Sequence, residues 1–115
     1  MKVGFYGNVN DVTAQWLSRI SEIENIPLLK IDINKKIEQI PDYLIAGGAP
    51  TNMINYWEGL KKLSRKLPKT TFLIQELYYC KNEEIKERMG KNSKLEILEM
   101  DSFSDKVNEL IDKAK

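Results

Sequence analysis

Five short apolar runs alternate along this chain with stretches whose apolar residues recur at helical spacing. No other feature restricts the fold so strongly. Parallel neighbouring strands need a crossover that packs back onto the sheet, so strand–helix alternation predicts a parallel sheet covered on both faces. The runs are KVGFYG (2–7), IPLLKIDI (26–33), DYLIAGG (42–48), TTFLIQE (70–76) and KLEILEMD (94–101). The first helical stretch, 10–25, carries Val12, Trp16, Leu17, Ile20 and Ile23, with Asn10 as its N-cap and Asp11 in its first turn. The second starts at Pro50 and carries Met53, Ile54, Trp57, Leu60, Leu63 and Leu67, so both tryptophans read as core. A short helix over 82–90 is capped by Asn82 and stopped by Gly90. The last, 102–114, opens with Ser102 and Asp105 spaced as a capping box.

Five strands of this length predict an α/β fold: a three-layer α/β/α sandwich on a five-stranded parallel sheet in the flavodoxin-like order 2-1-3-4-5. The chain of 115 residues fits one domain, 1–115. The connection NKKIEQIP between strands 2 and 3 is shorter than a usual crossover. A helical turn or two is expected near Lys35–Gln39, with Ile37 and Ile40 touching a thinly covered side of the sheet.

Charge and composition exclude several roles. With 18 basic and 17 acidic residues the formal net charge is +1, so nothing global attracts nucleic acid or an anionic membrane. No apolar stretch approaches the length of a membrane span. A lone cysteine, Cys80, and an N-terminal run without a signal-peptide pattern give the expectation of a cytoplasmic protein. The sequence has no histidine, which removes Ser–His and Cys–His nucleophile pairs and His-ligated metals.

In open α/β sheets ligands sit beyond the carboxyl ends of the strands, at the point where the strand order reverses. Here YGNVND and GGAPTN should flank that crevice. The candidate ligand-binding residues are Asn8, Asn10, Gly47, Gly48, Thr51, Asn52 and Gln75. The stretch IAGGAPTNM could cradle a phosphate on a helix N-terminus, but it lacks the established phosphate-loop spacings, and a tight turn that needs glycine is the favoured reading. Asp11, Asp32, Glu76 and Asp101 could converge on a cation, yet cap roles explain Asp11 and Asp101, so no metal and no cofactor is expected. Cys80 reads as a plain surface or half-buried thiol. Lys61, Lys62, Arg65, Lys66 and Lys69 read as cations at a helix C-terminus. Tyr78 and Tyr79, with Tyr6 nearby, form an aromatic group at the working end; at least one is expected to be exposed as a protein contact.

The alternation and length resemble the receiver domain of response regulators across nearly the whole chain. The residues that carry receiver chemistry are replaced. Asn10 and Asp11 come late for its acidic pair, Ala46, Gly47 and Gly48 stand at its phospho-accepting aspartate, Gln75 at its hydroxyl residue, and Met100 and Asp101 at its lysine. The resemblance therefore implies a receiver-like domain that is not phosphorylated in the usual way. The short second crossover is similar to the small IIB subunits of sugar phosphotransferase systems, whose cysteine after the first strand is absent from GNVND. A TIR-like reading has only Glu76 or the Glu83–Glu84 pair to offer as its glutamate.

The expectation is a non-catalytic regulatory or adaptor domain with a protein partner, able to form a homodimer through the thinly covered side near strand 2 or through Tyr78 and Tyr79. The alternative is a domain or small enzyme that binds a nucleotide or phosphometabolite in the crevice, with Glu76 as its acid or base.

Overall fold

The computed structural model describes residues 1–8, 11–50, 52–90 and 94–115. The elements run β1 (Val3–Tyr6), α1 (Val12–Glu24), β2 (Leu29–Ile31), β3 (Tyr43–Ala46), α2 (Ile54–Lys66), β4 (Thr71–Gln75), α3 (Asn82–Met89), β5 (Lys94–Leu98) and α4 (Met100–Ala114). All pairings are parallel, in the order β2-β1-β3-β4-β5. The expected flavodoxin-like three-layer sandwich is what the chain forms.

Side chains alternate across a strand, so each run supplies both layers. Tyr6, Leu44, Ala46, Phe72 and Ile74 meet Trp57, Leu60 and Leu63 of α2 and Ile85 and Met89 of α3. Val3, Phe5, Ile45 and Leu73 meet Ala14 and Leu17 of α1 and Phe103, Val107 and Leu110 of α4. Burial on both faces is why the strands read as almost unbroken apolar runs.

The short β2–β3 connection forms no helix, contrary to expectation. A turn follows β2, fixed by the Asp32 carboxylate accepting from the Asn34 N–H at 3.0 Å. Ile37 packs against the α2 side of the core, while Ile40 stays 62% exposed. The segment is anchored further on, where Asp42 and Lys2 exchange hydrogen bonds and Thr70 Oγ1 donates to the Pro41 carbonyl. An extended strap thus joins β2 to β3 in place of the expected helical turn.

Every helix starts elsewhere than sequence propensity suggests, save α3. Asp11, not Asn10, caps α1. The second helix begins at Ile54, because the Pro50 carbonyl is taken by the Met53 N–H and the Trp57 indole N–H, each at 3.0 Å, in a turn that precedes it. α3 starts at Asn82 with Lys81 at the cap, so Asn82 is no cap itself; Gly90, at φ +88°, does end it. In α4, Ser102 lies inside the helix, which begins straight after β5 with Glu99 at the cap, so there is no capping box.

Trp57 is core, 1% exposed, but Trp16 is not, at 44%. At 3.6 residues per turn Val12, Trp16 and Ile23 share one side of α1, while Ala14 and Leu17 share the side that faces the sheet.

Candidate functional site

The crevice between β1 and β3 is built around Asp11. Its Oδ1 accepts the Thr13 N–H at 2.9 Å, the ordinary work of an N-cap. Its Oδ2 reaches across the switch point and accepts the Gly47 N–H at 3.1 Å and the Tyr56 hydroxyl at 3.2 Å. One carboxylate thus ties together the start of α1, the loop after β3 and the first turn of α2. Asp11 is 7% exposed and Tyr56 3%. The Tyr56 ring stands edge-on to both Tyr6 and Trp57, with centroids 5.2 and 5.3 Å away.

The Tyr56 hydroxyl sits between two acceptors, Asp11 Oδ2 and the Gly47 carbonyl, and has one proton to give. A proton on Asp11 would satisfy the second contact. Burial also disfavours the charged carboxylate and raises the Asp11 pKa, against the lowering pull of the Gly47 and Thr13 amides and the Tyr56 hydroxyl. Tyr56 is itself pushed well above its ordinary value, by burial first and then by the nearby Asp11 charge.

A stability signature follows. With the folded pKa raised, the native state holds more protons than the unfolded chain once the pH passes the ordinary aspartate value of about 3.9. Asp11 therefore contributes a fall in stability as the pH rises from there to its folded pKa. Urea unfolding of the protein and of Asp11→Asn between about pH 4 and 7 should show that slope in the former and a flatter one in the latter. The comparison cancels carboxylates of opposite sign, such as Glu109, whose pKa is lowered by Lys106 and Lys113. Parallel curves would refute the assignment.

The crevice itself is small, ≈ 200 Å³, and Gly48, Pro50, Met53, Tyr56, Gln75 and Asp11 line it. Small-molecule sites usually run from about 300 to 1,000 Å³. Gly47 and Gly48 are indeed brought here, with Gln75, but the Gly47 amide is committed to Asp11. The acceptor held by this loop is the protein's own Asp11 side chain. The helix N-terminus expected to point free N–H groups into the crevice is also displaced, since α2 starts at Ile54.

The other predicted residues scatter. Asn8 lines a separate groove of ≈ 470 Å³ beside α1, together with Gln15, Arg19 and Lys30. Asn52 is exposed and does not line the crevice. Asn10 and Thr51 lie outside the described residues. Glu76 is engaged rather than free: its Oε2 accepts the Asn82 N–H at 3.0 Å, serving the start of α3, and its Oε1 pairs with Lys81 at 3.5 Å. Among the described residues no three acidic or cysteine side chains come together as a metal site.

Tyr78 and Tyr79 form the tip of a tight turn closed by reciprocal Leu77–Cys80 backbone hydrogen bonds, each 3.1 Å. They are 90% and 59% exposed. Tyr6 is not part of this group; it is buried against Tyr56. Cys80 is fully buried, not a surface or half-buried thiol, and burial raises its pKa. The basic end of α2 contributes Lys61 to a groove shared with Glu58, Glu84, Glu87 and Arg88, whose mixed charges give no anion site.

Sequence reasoning missed Tyr56. Its spacing to Leu60, Leu63 and Leu67 is the i, i+4, i+7, i+11 pattern of a buried helix face, and that was the signal that could have found it.

No helix of the described residues is long and apolar enough to cross a membrane. Comparison with protein-family models, with curated proteins and with solved structures found no match to this chain.

Proposed function

We propose that this chain is a non-catalytic regulatory or adaptor domain that acts by docking a protein partner on the Tyr78–Tyr79 turn. The observation that carries the reading is the exposure of two adjacent tyrosines on a turn pinned at both ends. A pinned turn loses little entropy on binding, and tyrosine brings a large contact area with few rotatable bonds. Lys81, 6.0 Å from the centre of the Tyr78 ring, adds a cation at the rim. The receiver-like resemblance agrees with such a role, since a receiver without its phosphorylation residues retains only its surfaces. The engagement of Glu76 with Asn82 and Lys81 and the burial of Cys80 also favour it, since these were the carboxylate and the thiol that the sequence offered for chemistry.

The nucleotide or phosphometabolite reading has less support. A phosphate in the crevice would displace or face the Asp11 carboxylate, and the space beside it, ≈ 200 Å³, is below the range of about 300–1,000 Å³ usual for small-molecule sites.

Tyr78→Ala/Tyr79→Ala should weaken capture of the partner from a cell extract by ~30-fold or more, the scale of a tyrosine hot spot. The thermal midpoint should not move, because both side chains are in solvent. A panel of nucleotides and phosphosugars should leave that midpoint in place. A shift of several degrees by one compound would replace this reading with the ligand-binding one.

A further inference from the structure

The groove beside α1 brings together charges that the fold itself does not use. It lies at the carboxyl end of β1, on the β2 side, and ligands of open α/β sheets bind at that end. Its volume, ≈ 470 Å³, is within the range of small-molecule sites, unlike that of the Asp11 crevice. One wall is a single side of α1, with Gln15, Ser18, Arg19 and Glu22 at positions i, i+3, i+4 and i+7. The other wall is Lys30 of β2, with Gly7 beneath it.

Two details set this groove apart from an ordinary solvated surface. A Cβ built on Gly7 would stand 2.9 and 3.0 Å from Lys30 Cγ and Cε, so the lysine stem is laid over the end of β1. A lysine on an edge strand is free to extend into water, yet this one lines the same groove as Arg19. The second detail is the lack of pairing. Arg19 and Glu22 have the i, i+3 spacing at which Lys106 and Glu109 pair at 3.1 Å on α4. Among the described residues, however, none of Arg19, Glu22 and Lys30 is in an ion pair. Two cations that converge on one groove repel each other, and an anion between them relieves that repulsion.

The charge pattern specifies the ligand. Arg19 and Lys30 suit two carboxylates, and the planar guanidinium can take one of them bidentately. Glu22 repels a plain dianion and attracts an ammonium group. A molecule with two carboxylates and one ammonium therefore complements two cations and one anion. We propose that this groove binds an acidic α-amino acid, with Arg19 and Lys30 on its carboxylates, Glu22 on its ammonium, and Gln15 and Ser18 as neutral hydrogen-bonding groups. Nucleotides, which carry no ammonium group, do not fit this pattern. The site is three strands across the sheet from β4, whose end leads into the tyrosine turn. It gives the domain a small-molecule input separate from its protein contact.

Amide NMR titration of the whole chain with L-glutamate and L-aspartate should show saturable shifts centred on Gly7, the middle of α1 and Lys30. Glutarate, which lacks the ammonium, and L-glutamine, which lacks the second carboxylate, should each bind at least ~10-fold more weakly than glutamate. Arg19→Gln and Lys30→Gln should each weaken glutamate at least ~10-fold. Glu22→Gln should weaken glutamate likewise but leave glutarate as it was or tighter. All three side chains are exposed, so the thermal midpoints of these variants should match the parent's. Tyr78→Ala/Tyr79→Ala should leave the titration unchanged, so a failure here is read apart from a failure of the docking turn. Absence of saturable shifts with both amino acids at millimolar concentration overturns the proposal. So does glutamate binding that survives Arg19→Gln/Lys30→Gln, which places it elsewhere. Glutarate binding as tight as glutamate in the parent also overturns it, because Glu22 then has no part in the site.

Discussion

Asp11→Ala should destabilise the fold by about 2–4 kcal/mol. Loss of an aspartate N-cap costs about 1 kcal/mol. The Gly47 N–H then lies buried without its acceptor, which costs about 1–3 kcal/mol more. For a domain of this size the thermal midpoint should fall by roughly 8–16 °C. Asp32→Ala is the natural contrast. Its carboxylate also accepts a backbone N–H, that of Asn34, but on an exposed turn, and a change within about 0.5 kcal/mol is expected. If the two variants melt alike, Asp11 is only a helix cap, and the link it makes between α1, Gly47 and Tyr56 contributes nothing.

This link also explains where sequence reasoning succeeded and where it stopped. The parallel sheet follows from alternation, because each of KVGFYG, DYLIAGG and TTFLIQE must be covered on both faces, whereas the order 2-1-3-4-5 rests on the preference of the fold class and on no particular residue. Gly90 is legible for a local reason too: a positive φ favours glycine whatever surrounds it. The helix starts depend on distant partners. Asn10 and Asp11 are equally good caps by propensity, and what selects Asp11 is an amide thirty-six residues on, at Gly47. Pro50 has the right φ for a first helical residue, yet its carbonyl is claimed by the Trp57 indole and the helix waits until Ile54. Glu76 looks unemployed in the sequence, whereas in the fold it holds the start of α3 through the Asn82 amide. Trp16 misleads in the opposite direction. Hydrophobicity alone assigns it to the core, and only the angle between it and Leu17 around the helix puts it outside.

The glycines after β3 bear most directly on function, and Gly48 is the place to test them. A Cβ built there would stand 2.5 Å from the Gln75 carbonyl oxygen, 2.5 Å from Leu77 Cγ and 2.8 Å from Leu77 Cδ1. Leu77 can turn away, but the Gln75 carbonyl is backbone at the end of β4, and the next residue is fixed to β5 by the Glu76 N–H to Leu98 carbonyl bond at 2.7 Å. Gly48 has no positive φ, so close approach is the reason for glycine here. Gly48→Ala should cost about 1–3 kcal/mol, and Gly48→Val, with two further methyls in the same space, about 3 kcal/mol or more. Urea midpoints of the glycine, alanine and valine forms should fall in that order. An alanine form as stable as the parent, helped by the ~0.4–1 kcal/mol that a less flexible unfolded chain provides, would mean the loop relaxes freely and the β3–β4 approach is not fixed. The steric result also restricts what Gly48 can reveal about ligands. A bulky residue there disturbs the fold before it disturbs any bound molecule, so loss of binding in such a variant would report packing, and the question of a ligand in the crevice is better put to the unaltered protein.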